Sequence, residues 1–283
     1  MQALAGDGKL RNWQPVAETV WEERRRSVPR SVPILGCRVD RVNRKEALAA
    51  ALRLCSEAGS HLLVTADSSM LVFAQRDDDL FRILADADLV VPDSIGVVLA
   101  GRLIGTPFSE RVTGVDLMEH LCAHFSNTGQ SVYFLGSAEG VAEKAAAKLV
   151  ERYPGLIIAG VHHGYFEPAD EPLILDTIRR LQPDALFVAM GIPRQEKWLR
   201  RNLDSLPVRL GMGIGGSLDV MAGEVRRAPA FFRRNHLEWL YRITTDVRRL
   251  RKGLTLPIFA ALAVRYRLRH RRGPWLMRAR RVL

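Results

Sequence analysis

The 283-residue sequence holds only three cysteines, Cys37, Cys55 and Cys122, and their spacing suits neither a metal site nor a redox pair. An odd, scattered set of thiols fits a reducing cytosol. Long hydrophobic runs are missing too. No stretch reaches the roughly 18–20 apolar residues that a membrane-crossing helix needs. Acidic and polar residues interrupt the N-terminus throughout, unlike a signal peptide. There is no P-loop, no visible Ser/His/Asp order, and no G-x-G-x-x-G after the first strand-like run. NTPase, hydrolase and nicotinamide-dependent oxidoreductase readings are therefore weak.

What is present is a lopsided charge. Residues 224–283 hold 17 Lys/Arg against 3 Asp/Glu, so the other 223 residues carry a net −3 of the total +11. The basicity belongs to the C-terminal tail. It points to an anionic surface as partner: phospholipid, nucleic acid or a phosphorylated ligand. A nucleic-acid reading also wants basic and stacking residues on the main domain, and the net −3 there argues against it.

The chain divides into three parts on this basis. Residues 1–30 show no lasting apolar period and read as a poorly ordered arm. Residues 31–223 alternate short β-rich runs with helical periods, the pattern of an α/β domain with a Rossmann-like, mostly parallel sheet flanked by helices. Within it, NRKEALAAALRLCSEAG is a helix with Asn43 as N-cap, and PRQEKWLRRNLDSL is a helix opened by Pro193. Residues 224–283 form a basic, amphipathic appendage. It is expected to lie on an anionic bilayer surface, the competing expectation being a helical pair packed on the domain.

Candidate chemistry gathers where strands end, the edge on which open α/β sheets place their sites. Thr65 and Asp67 end HLLVTAD, and Asp93 ends LVVPD. Arg111 and Asp116 follow in a Thr- and Gly-rich approach to a helix. A base and an anion-binding cation thus share one segment, although Asp93 as a mere N-cap and Arg111 as a surface charge would fit the same spacing. Gly136-Ser137 forms a turn into a helix, a place where backbone N–H groups suit a phosphate. Gln195 stands where it could hydrogen-bond a substrate hydroxyl. The glycines around Gly215 would let backbone approach a nucleotide, leaving Asp219 to read a base or ribose. His162-His163 is a poor metal pair, because neighbouring strand residues face opposite ways. Asp77-Asp78-Asp79 reads as a helix cap or solvated turn.

Taken in order, these junctions resemble one family. The blocks are Thr65-Ala66-Asp67, Pro92-Asp93-Ser94-Ile95-Gly96, Arg111-Val112-Thr113-Gly114-Val115-Asp116, Phe134-Leu135-Gly136, His163-Gly164-Tyr165-Phe166, Pro193-Arg194-Gln195-Glu196-Lys197-Trp198, Gly215-Gly216-Ser217-Leu218-Asp219 and Leu237-Glu238-Trp239-Leu240-Tyr241-Arg242. The sequence is similar over about residues 32–255 to the WecG/TagA/CpsF glycosyltransferases, glycosyltransferase family 26. The resemblance implies inverting transfer of a ManNAc-, ManNAcA- or glucose-type sugar from a UDP-sugar to a polyprenyl-diphosphate-linked sugar. This transfer belongs to the synthesis of teichoic acid, exopolysaccharide and other cell-surface polymers. It implies a peripheral enzyme on the cytoplasmic face of the membrane, without a metal or other cofactor. The sequence leaves open whether the enzyme is a homo-oligomer.

By the same resemblance Asp93 is the catalytic base. Thr65 and Gln195 line the pocket with Arg111 beside them, and Tyr165 and Asp219 contact the nucleotide. Arg242, Arg249 and Lys252 bring cations to the diphosphates. Two positions depart from the family pattern: Asp67 stands where Asn is usual, and Ser94 where Gly is usual.

Overall fold

The computed structural model describes residues 31–225, Pro229, Phe232 and 255–270. The arm 1–30 lies outside these residues, as do Arg242, Arg249 and Lys252. A hairpin comes first, β1 (Ser31–Ile34) and β2 (Cys37–Asp40), paired antiparallel. Helix α1 (Arg44–Ser56) starts where expected. The Asn43 side chain accepts the Glu46 N–H, and the Glu46 carboxylate accepts the Asn43 N–H, a reciprocal capping box.

Six strands then form one wholly parallel sheet: β3 (His61–Ala66), β4 (Leu89–Pro92), β5 (Ser131–Gly136), β6 (Ile157–His162), β7 (Ala185–Ala189) and β8 (Leu210–Gly213). Their spatial order is β4-β3-β8-β7-β5-β6. The apolar runs LLV, LVV and ALFVA are buried on both faces, as a parallel sheet covered on each side requires.

Between the strands run α2 (Ser68–Phe73), α3 (Asp78–Asp86), α4 (Ile95–Ile104), α5 (Gly114–Thr128), α6 (Val141–Arg152), α7 (Glu171–Leu181), α8 (Arg194–Asn202) and α9 (Ser217–Ala222). Each sheet face carries its own apolar core. Helices α1, α5, α6 and α9 cover one face. The hairpin and α2, α3, α4, α7 and α8 cover the other, together with a last helix, α10 (Thr255–His270). The expected break in the α2–α3 region falls at Asp77, whose side chain caps α3 by accepting the Leu80 N–H.

Two helix starts differ from the sequence expectation. Helix α8 begins at Arg194, with Pro193 just before it rather than in its first turn. Helix α6 begins at Val141, because Gly140 at φ +77° ends the preceding turn, so Gly136-Ser137 does not open it directly.

Helix α10 is the described part of the basic appendage, and it packs on the domain. Phe259, Leu262, Ala263 and Tyr266 are buried against α2 and α4, one stripe at helical spacing. Burial pushes the Tyr266 phenol up to about 12. The opposite side of the same helix leaves Ile258, Val264 and Leu268 exposed, with Arg265 and Arg269 among them. The expectation of packing on the domain therefore holds for this helix, which has one face docked and one apolar-and-basic face outward.

Candidate active site

The loops after β3 and β8, neighbours in the sheet, leave toward opposite faces, since α2 lies on one side and α9 on the other. Such a divergence opens a crevice at the carboxyl ends of the strands. Thr65, at the end of β3, is buried and donates its hydroxyl proton to the Gly213 carbonyl across that crevice, 3.1 Å away. One strand further out, Asp93 follows β4 and is half-buried. Its Oδ2 accepts the Gly114 N–H at 3.1 Å, so the carboxylate faces the N-terminus of the 15-residue α5, where negative charge is favoured. Val112 donates to the Pro92 carbonyl, which draws residues 111–114 alongside β4 and brings Arg111 into the neighbourhood of Asp93.

Gly114 closes this cluster, and composition gave no reason to single it out. A Cβ there would lie 3.1 Å from Thr65 Cγ2 and 3.3 Å from Asp93 Oδ2. A side chain there would make these two neighbours give by a few tenths of an ångström. The TG pair before a helix was visible, but the close approach depends on how α5 crosses the sheet.

The two departures from the family pattern are both helix caps. Asp67 Oδ1 accepts the Met70 N–H at 2.7 Å and caps α2. Ser94 Oγ accepts the N–H of Val97 in α4 and of Ser68 in α2, and shares a 2.8 Å hydrogen bond with Ser68 Oγ. Ser94 thereby ties two helix starts together beside Asp93. Gly96 permits this closeness, since a Cβ would collide with Ser68 Oγ. Ser69 reaches the first residue of α10 through a 2.9 Å hydrogen bond to Thr255 Oγ1, so the docked helix meets the fold next to the crevice.

Gln195 is 1% exposed, its Oε1 accepts the N–H groups of Gly191 and Gly215, and its Nε2 donates to Glu196. Each of its polar atoms already has a protein partner, and through them it joins the loops after β7 and β8. The Ser137 N–H donates to the Ala189 carbonyl and its carbonyl accepts from Gly164, in a left-handed turn at φ +57°. That N–H is committed, and a Cβ on Gly136 would collide with the Ala189 carbonyl. The turn is a packed joint between β5 and β7.

At the far end of the edge, β6 ends on His162, and the loop after it holds His163 and Tyr165. His163 Nδ1 accepts the Tyr165 N–H, the two imidazoles lie 4.6 Å apart, and Arg194 sits over the Phe166 ring. Tyr165 itself is 77% exposed. Asp219, half-buried, lies in the first turn of α9 beside the Gly213–Gly216 loop. Among the described residues no three His, Cys, Asp or Glu side chains are grouped to hold a metal ion. Burial pushes the Cys55 and Cys122 thiols up to about 12, so neither is set up as a nucleophile.

A crevice at the switch of an open parallel sheet, with a carboxylate held at a helix start, is where α/β enzymes of this layout place their chemistry. Comparison with known sequences agrees. The glycosyl transferase WecG/TagA/CpsF family profile matches residues 32–273. A relative from Bacillus spizizenii, named N-acetylglucosaminyldiphosphoundecaprenol N-acetyl-beta-D-mannosaminyltransferase, is 35% identical over 72% of this chain and 79% of its own. A Staphylococcus aureus relative of the same name is 34% identical over 70% of this chain and 77% of its own. The chain belongs to the WecG/TagA/CpsF family and is a glycosyltransferase. Among the described residues no helix is long and apolar enough to cross a membrane.

Proposed function

We propose that the chain transfers an N-acetylmannosamine-type sugar from a UDP-sugar to a polyprenyl-diphosphate-linked sugar, inverting the anomeric carbon. The observation that carries this reading is the single Asp93 carboxylate, held by the Gly114 N–H beside Thr65 at the mouth of the crevice. The acceptor hydroxyl oxygen bonds to the anomeric carbon while the bond from that carbon to the UDP phosphate oxygen breaks. UDP leaves with the electron pair, and Asp93 takes the hydroxyl proton. The names of the two relatives support the acceptor class and the mannosaminyl donor.

Negative charge grows on the departing diphosphate. In this reading Arg111 and the basic tail, Arg242, Arg249 and Lys252 included, stabilise it without a metal ion. Tyr165 and Asp219 serve the nucleotide. The outward face of α10, Ile258, Val264 and Leu268 with Arg265 and Arg269, supports peripheral contact with an anionic leaflet on the cytoplasmic side.

The test is UDP release by the full chain. UDP-ManNAc, UDP-ManNAcA and UDP-glucose are each offered with a short-chain polyprenyl-diphosphate N-acetylglucosamine. Release with UDP-ManNAc that requires the lipid acceptor and survives EDTA is expected. Release that ignores the acceptor, or none with any donor, sinks the reading. Loss of rate in EDTA restored by Mg²⁺ would remove the metal-free part alone.

A further inference from the structure

Two glycines from different loops donate to one atom. The Gly191 N–H, from the loop after β7, and the Gly215 N–H, from the loop after β8, lie 3.1 and 3.0 Å from Gln195 Oε1. An atom that receives two N–H groups is the carbonyl oxygen, which fixes the direction of the Gln195 amide group. Its NH₂ must then find an acceptor on the other side, and Glu196 Oε1 is there at 2.7 Å. Turning the amide over would set its NH₂ against two donors and its oxygen against a carboxylate. Glu196 holds the amide in that orientation from the other side.

Both side chains are 1% exposed, so Glu196 reaches no substrate directly. A buried carboxylate is costly compared with an apolar residue of similar size, which argues against simple filling of space. The network continues into the site. A Cβ on Gly213 would lie 2.7 Å from Gln195 Nε2 and 3.0 Å from Glu196 Oε1, so this pair sets how closely β8 can approach. The Gly213 carbonyl in turn receives the Thr65 hydroxyl, and Thr65 packs against Gly114 next to Asp93.

We propose that Glu196 is a positioning residue for transfer. Its carboxylate orients the Gln195 amide, and the amide oxygen clamps the loops after β7 and β8 into the floor that holds Thr65. The inference rests on the crevice being the transfer site.

Three variants of the full chain test it: Glu196→Leu, Glu196→Gln and Gln195→Met. Amide hydrogen exchange is followed at peptides covering residues 191 and 215, and kcat and KM are measured with UDP-ManNAc and the short-chain lipid acceptor. Glu196→Leu should lose protection at both glycines, and its kcat should fall about 10- to 100-fold, more than KM changes, the scale on which supporting partners act. Glu196→Gln presents an amide oxygen in the same place and should keep both protection and rate. Gln195→Met removes the clamp itself and should reproduce the exchange loss, which keeps the test alive if Glu196→Leu does not fold. Unchanged exchange at 191 and 215 in Gln195→Met or Glu196→Leu overturns the proposal. So does a Glu196→Gln variant as impaired as Glu196→Leu. The exchange arm needs no turnover, so a wild-type chain that transfers no sugar would instead overturn the reading of the crevice.

Discussion

The two ends of the carboxyl edge are built on different plans. On the β3–β4 side four polar side chains are anchored: Thr65 to Gly213, Asp93 to Gly114, Asp67 and Ser94 to helix starts, with α10 docked close by. On the β6 side Tyr165 stands 77% exposed. Strand spacing puts β4 and β6, five steps apart, about 24 Å from each other, which an extended nucleotide-sugar and its acceptor could share. Proton removal needs a group held within a few tenths of an ångström of its task. Gripping a flat base tolerates a side chain that settles only when the ligand arrives. The anchored end therefore suits chemistry, and the exposed end suits binding.

The largest expected effect breaks the anchored end. Asp93→Asn keeps the shape and removes the base, so kcat should fall about 10²- to 10⁴-fold while UDP binding, read by calorimetry, stays near wild type. Near-normal turnover would remove Asp93 as base. Gly114→Ala comes next. Its methyl group would press on Thr65 Cγ2 at 3.1 Å and Asp93 Oδ2 at 3.3 Å, and the α5 start or the carboxylate must shift. A loss in kcat of about ten- to a hundredfold is expected with the melting transition intact. A fully active alanine variant would mean that the cluster is looser than its distances imply.

Much of this end was legible in the sequence. A carboxylate after a buried run marks a strand end, and Asp93 after LVVP and Asp67 after HLLVTA placed Asp93 and Thr65 at the carboxyl edge. Asn43 and Asp77 were legible as caps because capping is local chemistry. Gly114 and Glu196 were not, for the same reason in two guises. Glu196 in a helix's first turn looks like a solvated charge, and only the packing of α8 against β8 buries it. Gly114 matters only because α5 crosses so close to β4. Gln195 and Ser137 were singled out, but their protein partners lie in other loops, so their part in joining those loops was not legible. The docking of α10 was left open in the sequence because periodicity shows an apolar stripe without saying whether it meets protein.

At the exposed end, Tyr165→Ala should act on binding alone. Stacking on a base is worth about 1–3 kcal/mol, so donor KM should rise about tenfold with kcat little changed. Stability should stay within about 0.5 kcal/mol, as for other exposed positions. A fall in kcat as large as that of Gly114→Ala would erase the distinction between the two ends.

The smallest effect probes what holds α10 against the anchored end. Thr255→Val removes the hydroxyl that pairs with Ser69 at 2.9 Å and should cost about 1 kcal/mol, a drop of about 2–4 °C in Tm. The helix should remain docked, because burying side chains such as Phe259 and Leu262 contributes about 1.5–3 kcal/mol each. Phe259→Ala removes part of that apolar contact and leaves a cavity, and it should cost about 3–5 kcal/mol. Differential scanning calorimetry on the two variants compares the terms directly. If Thr255→Val destabilised as much as Phe259→Ala, the hydroxyl pair and not the apolar stripe would fasten the helix. Polar complementarity would then decide where the tail meets the domain.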